Sequence, residues 1–113
     1  MKKILKSALD LIRNTPIIKL HKIVPENSAE VWLKYKAVNP TGSYKDRMAK
    51  SVLGNALERG DLSQGDKVVE YTGGSTGSAL AFVSAALGLE FLQSFPMPSQ
   101  KASSRRWKLL GQM

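Results

Sequence analysis

The sequence predicts an α/β fold built around a parallel sheet. Two runs rich in β-forming residues, 31–36 and 67–71, each lead through a glycine-bearing turn into a run of helical character, about 43–59 and 76–87. Strand, helix, strand, helix is the order of parallel strands joined by helical crossovers. The second helical run carries Ala79, Leu80, Ala81, Phe82, Val83, Ala85 and Ala86. It is apolar nearly all round and is expected to be buried. Gly60 and Gly88 then fall where helices need a left-handed stop.

In chain order, Ser7 to Ile12 reads as a short helix broken by Asn14, Thr15 and Pro16. Ile17, Ile18, Lys19 and Leu20 form a short extended segment, and a polar loop surrounds Pro25. Val31, Trp32, Leu33, Lys34, Tyr35 and Lys36 have the character of a strand. Asn39, Pro40, Thr41, Gly42 and Ser43 make a turn. In the helix that follows, Met48, Val52, Leu53, Ala56 and Leu57 form one apolar stripe. Ser43 is placed to cap it and Asp46 to oppose its dipole. After residues 67–71 comes the loop Thr72, Gly73, Gly74, Ser75, Thr76, Gly77, and a further parallel strand is expected to begin at Leu89, Glu90 and Phe91. From Leu92 onward that grammar lapses, because Pro96 and Pro98 remove ladder donors and no alternation is visible.

Composition narrows the function classes. The chain has 113 residues, 42% of them hydrophobic, enough for one small packed domain. No run approaches the roughly 18 apolar residues of a membrane span. The segment after Met1, Lys2 and Lys3 is broken by Lys6, Ser7 and Asp10, a poor signal-peptide core. There is no cysteine, which excludes disulfides and thiolate metal sites. A cytoplasmic protein without membrane or nucleic-acid partners is expected. The formal charge of +8 does not argue otherwise: Lys101, Arg105, Arg106 and Lys108 follow the last acid, Glu90, and carry about half the excess. Elsewhere acids and bases are interspersed, as on a solvated surface.

Two loops carry candidate chemistry. Gly73-Gly74-Ser75-Thr76-Gly77 fits G-x-S-x-G, the pattern of a hydrolase elbow. A nucleophilic serine needs a base, and the one histidine, His21, precedes Ser75 by more than fifty residues. The same loop can instead offer backbone N–H groups to an anion at a helix start. In the other loop, Lys45 lies in the first turn of a helix, where positive partial charge favours the neutral amine. A neutral lysine can attack an aldehyde. The plain alternative is an exposed lysine near a helix start, with Arg47 paired to Asp46 or Glu70. An amino-acid substrate held through an aldehyde cofactor would need both loops.

The motifs resemble the cysteine synthase and cystathionine β-synthase family, pyridoxal 5′-phosphate (PLP) enzymes of fold type II. Leu11-Ile12-Arg13-Asn14-Thr15-Pro16 resembles the family's L-I-G-N-T-P, with Arg13 for glycine. Asn39-Pro40-Thr41-Gly42-Ser43-Tyr44-Lys45-Asp46-Arg47 resembles N-P-G-G-S-V-K-D-R. Thr72-Gly73-Gly74-Ser75-Thr76-Gly77 resembles T-S-G-N-T-G, and residues 61–70 match the family's L-x-x-G-D-x-x-V-E linker. The likeness covers residues 8–91.

The resemblance implies the parallel-sheet, three-layer fold of those enzymes, present here in incomplete, truncated form. It implies PLP as cofactor, an amino-acid substrate such as O-acetylserine, β-replacement or β-elimination chemistry, and a homodimer in the intact family. Lys45 would hold the cofactor and move the α-proton. Thr72, Gly73, Gly74, Ser75 and Thr76 would bind the substrate carboxylate, with Ser75 also touching the cofactor. Ser75 stands where the family has an asparagine, and Gly73 where it has a serine. Residues 1–38 would belong to the large domain, 39–91 to the small PLP and substrate domain, and 92–113 to an atypical basic tail. The cofactor-phosphate loop would lie beyond this chain, which is then expected to be inactive alone. The alternative is a non-catalytic module that pairs with a full-length relative. Back-translated and read two bases later, the tail can yield a family-like strand, loop and helix. The junctions Met97-Pro98 and Trp107-Lys108 then force Ala and Glu, which suggests an out-of-frame tail that starts near Leu92.

Overall fold

The computed structural model describes residues 4–94. The elements are a 3-10 turn Ala8–Leu11, strands β1 (Ile17–Lys19) and β2 (Trp32–Lys34), and a second 3-10 turn Lys36–Val38. Helix α1 (Lys45–Arg59), strand β3 (Lys67–Tyr71), helix α2 (Ser75–Leu87) and strand β4 (Glu90–Ser94) follow. The basic tail from Phe95 on, including its out-of-frame reading, lies outside the described residues.

The parallel sheet is present and is confined to β3 and β4, which pair in register from Lys67 opposite Glu90 to Tyr71 opposite Ser94. Helix α2 is their crossover. The strand expected at 31–36 is shorter and does not join them. As β2 it pairs antiparallel with β1, Ile17 opposite Lys34 and Lys19 opposite Trp32. Residues 20–31 return the chain antiparallel, and the pairing is extended at its ends by the Leu20 N–H donating to the Val31 carbonyl and the Tyr35 N–H donating to the Pro16 carbonyl, each at 2.9 Å. The parallel strand expected from Leu89 runs on to Ser94, so Leu92, Gln93 and Ser94 are part of the sheet.

The core gathers where α1, α2 and the parallel pair meet. Ile12, Ala49, Leu53, Ala79, Leu80, Phe82, Val83 and Leu89 are buried there, with Leu57, Val68 and Phe91 packed against them. Residues 79–84 of α2 are all buried, as its composition requires. Small side chains along this helix let its backbone approach its neighbours closely. On α1 the buried positions are Asp46, Ala49 and Leu53, and Val52 of the expected stripe is 55% exposed. Both helices end on a left-handed glycine, Gly60 with φ 78° and Gly88 with φ 72°.

The short helix expected at Ser7 to Ile12 forms as a single 3-10 turn closed by a capping box. Ser7 accepts from the Leu9 N–H at 3.2 Å, and the Asp10 carboxylate accepts from the N–H groups of Lys6 and Ser7. The Lys6 N–H first, then that of Ser7 and the charges of Arg13 and Lys50, hold the Asp10 carboxyl below its ordinary range against a smaller opposing effect of desolvation.

Candidate functional site

The first loop runs from the turn Lys36–Val38 to the start of α1. The Gly42 N–H donates to the Asn39 carbonyl at 2.8 Å, and Gly42 adopts φ 77°, a conformation that favours glycine. The Asn39 side-chain amide donates to the Ser43 carbonyl at 2.8 Å. Asp46 is fully buried and turns back over the loop. Its carboxylate accepts from the Thr41 N–H at 2.8 Å and from the Thr41 hydroxyl. Arg47 forms no ion pair with Asp46 or Glu70 among the described residues. The N-cap of α1 is Tyr44, with no side-chain cap, so Ser43 lies one residue before the position expected of it; its hydroxyl accepts from the Lys45 N–H at 3.1 Å. The backbone beneath Lys45 is thus tied on both sides.

The Lys45 side chain is half-buried, with its Nζ 5.0 Å from the centre of the Tyr44 ring. A cation over an aromatic face is weakly held at such a position. Among the described residues no carboxylate or hydrogen-bond acceptor takes this amine. The loop is also braced from the N-terminal segment. Lys36 Nζ donates to the hydroxyl of buried Thr15 at 3.2 Å, and desolvation, with Arg47 and Lys34 nearby, pushes the Lys36 pKa down. The Asn-Thr-Pro motif therefore supports the loop that carries Lys45.

The second loop joins β3 to α2. The Thr72 N–H donates to the Ser94 carbonyl at 3.1 Å, and the Gly74 N–H reaches the Thr72 hydroxyl at 3.4 Å. Gly73, Gly74 and Ser75 are exposed, while Thr72 and Thr76 are half-buried. Helix α2 begins at Ser75 with Gly74 as its N-cap and no side-chain cap. The Gly77 N–H donates to the Gly74 carbonyl at 3.0 Å, and the N–H groups of Ser75 and Thr76, with their hydroxyls beside them, form an uncapped donor set suited to an anion. Ser75 makes no hydrogen bond to a base among the described residues, so its elbow-like pattern is not accompanied by a nucleophile's geometry.

The structure places Lys45 and residues 72–76 at the N-terminal ends of two helices that pack against each other. Among the described residues no hydrogen bond joins the two loops to one another. A groove of about 650 Å³ lies elsewhere, lined among others by Leu9, Arg13, Arg47, Lys50 and Glu58, and none of the predicted site residues borders it. Sequence reasoning missed Gln93. It sits on the inward face of β4 and donates from Nε2 to the Thr72 carbonyl. The signal was an amide at the position where alternation from Phe91 calls for an apolar side chain. Among the described residues no group of three or more metal-ligating side chains occurs, and no helix is long and apolar enough to cross a membrane.

Residues 8–112 match the family described as pyridoxal-phosphate dependent enzyme. The chain belongs to that family, whose cofactor is pyridoxal phosphate. Within it the similarity is to cysteine synthases. Cysteine synthase B of Escherichia coli (strain K12) is 43% identical over 95 residues, which cover 84% of this chain and 31% of that enzyme. Among solved structures, O-ureido-L-serine synthase superposes with a TM-score of 0.87 at 38% identity, covering 96% of this chain and 34% of that one. The O-acetylserine dependent cystathionine β-synthase from Helicobacter pylori gives 0.83 at 28% identity, covering 97% and 37%. These neighbours share the fold-type-II α/β architecture. The chain spans about a third of the length of the relatives it matches.

Proposed function

We propose that this chain carries the lysine and the carboxylate-binding loop of a cysteine synthase-like enzyme that performs β-replacement or β-elimination on an amino acid such as O-acetylserine. The single observation that supports this most is the amine of Lys45, which no acceptor takes among the described residues, presented from a backbone fastened by Ser43 and Asp46. Residues 1–38 would serve the large domain and 39–91 the small one, and Leu92, Gln93 and Ser94, which complete β4, would go with the small domain rather than with the tail.

The residues fit the cofactor by the chemistry of their donors: a free amine suits an aldehyde, and an uncapped helix start suits a carboxylate. When bound, pyridoxal phosphate supplies an electron sink that stabilises negative charge at the substrate's α-carbon. Lys45 would hold the cofactor and afterwards take and return the α-proton at Nζ. Thr72, Gly73, Gly74, Ser75 and Thr76 would hold and orient the substrate carboxylate, with the Ser75 hydroxyl also within the cofactor's surroundings. The Tyr44 ring lies beside the amine, its centre 5.0 Å from Nζ.

The test is to add pyridoxal phosphate to the 113-residue chain, reduce with borohydride and map the peptides. The added mass is expected on Lys45, and Lys45→Ala should lose both the mass and the near-visible absorbance. Label spread over Lys34, Lys36 and Lys50 at equal yield in Lys45→Ala would sink the reading.

A further inference from the structure

We propose that Gln93 is a positioning residue for the loop 72–77, holding it at both ends so that the donors between are presented in one arrangement. This rests on the reading of that loop as a carboxylate-binding element.

Gln93 lies on β4 opposite Glu70, and its side chain points to the helix-covered face with Phe91. An uncharged amide on that face must find partners or bear the cost of desolvation. It finds one at the loop's start, where Nε2 donates to the Thr72 carbonyl while the Thr72 N–H donates to the Ser94 carbonyl at 3.1 Å. Both backbone groups of Thr72 are therefore tied to the end of β4. At the loop's other end, the same amide lies against buried Gly77. A Cβ at position 77 would fall 2.7 Å from Gln93 Nε2, 2.9 Å from its Cδ and 3.0 Å from its Oε1. Only glycine lets the amide pass over the first turn of α2 to reach Thr72.

The two ends so held enclose Gly73, Gly74, Ser75 and Thr76, and no side chain caps the helix that follows. Among the described residues Gln93 Oε1 is buried without a hydrogen-bond partner. An amide flip would set that oxygen against the Thr72 carbonyl, which fixes the orientation. The brace does in space what a capping side chain does in an ordinary helix start, while leaving the Ser75 and Thr76 N–H groups open to a ligand.

Amide exchange and a pair of substitutions test this in the full chain. In Gln93→Ala the Thr72 and Gly77 amides should exchange about tenfold faster, the effect of one lost hydrogen bond. Ala49 and Leu53 in α1 should keep their protection. Gly77→Ala should speed the same loop amides in the parent and be harmless with Gln93→Ala, because the three atoms it strikes are gone. With pyridoxal phosphate present and O-acetyl-L-serine as probe, the half-saturating concentration should rise about tenfold in Gln93→Ala while borohydride labelling of Lys45 is kept. Should Gln93→Ala not fold, Gln93→Met keeps an unbranched stem of similar length and removes the donor without adding charge, and the same faster exchange and higher half-saturating concentration are expected. Unchanged exchange at Thr72 and Gly77, or a Gly77→Ala effect that survives in the double variant, overturns the brace. Faster exchange with an unchanged half-saturating concentration overturns the positioning role. Absence of Lys45 labelling in the parent protein instead removes the enzymatic reading, and exchange and pairwise rescue then judge the brace alone.

Discussion

Lys45 and Asp46 are adjacent in sequence and have opposite fates. The lysine is held half-open to solvent, and the aspartate is buried completely. A buried carboxylate is tolerated only when its oxygens are taken, and Thr41 takes both, through its N–H at 2.8 Å and its hydroxyl. The carboxylate is thus the fastening that decides where the first turn of α1 sits under Lys45. Asp46→Ala should lower stability by about 2 kcal/mol, since hydrogen bonds to a charged group are lost and a buried donor is left unpaired. Asp46→Asn, which keeps one acceptor, should cost less. Urea unfolding followed by circular dichroism measures both, and a loss below about 0.5 kcal/mol for Asp46→Ala would show that the loop is held by something else.

At the scale of elements, α1 shows how a sequence stripe differs from a packed face. Leu53 is 3% exposed, and Val52, one residue before it, is 55% exposed. Neighbours in a helix are about 100° apart, so a stripe drawn from both overstates the width of the contact. Leu53→Ala should cost about 2–5 kcal/mol through lost burial and the cavity left behind. Val52→Ala should stay within about 0.5 kcal/mol of the parent. Equal costs in thermal or urea unfolding would mean that α1 packs on a different face. The β3–α2–β4 unit is better specified. The apolar run of α2 allows no solvent-facing alternative over residues 79–84, and Gly88 turns the chain directly into β4.

Across the whole molecule, burial is one-sided. Helices cover the face of the parallel pair that carries Val68 and Phe91, while Val69, Tyr71 and Leu92 on the other face are 59%, 63% and 54% exposed. Parallel sheets ordinarily have both faces covered. The β1–β2 hairpin likewise leaves Ile17 at 58% and Trp32 at 57% exposure. Apolar surface of this extent binds hydrophobic dyes. The 113-residue chain should therefore bind anilinonaphthalene sulfonate in its folded state. The pair Val69→Thr and Leu92→Thr should reduce that fluorescence with little change in the urea midpoint. Fluorescence that is unaltered by the pair would locate the dye elsewhere.

Local chemistry made much of this protein legible from sequence alone. The helix stops at Gly60 and Gly88 follow from backbone sterics, and the burial of α2 follows from its composition. The parallel strand after Gly88 follows from the strand–helix order, and the family follows from three motifs in their proper spacing. The rest depended on groups that meet only in three dimensions. That β2 pairs with β1, that Asp46 turns back to Thr41, and that Thr15 holds Lys36 are outcomes of competition among distant partners. Gln93 is the clearest case. In sequence it is a polar residue near the start of an odd tail. In the fold its amide spans from Thr72 to Gly77, because the parallel register sets the end of β4 beside the start of α2, a pairing that no local propensity encodes.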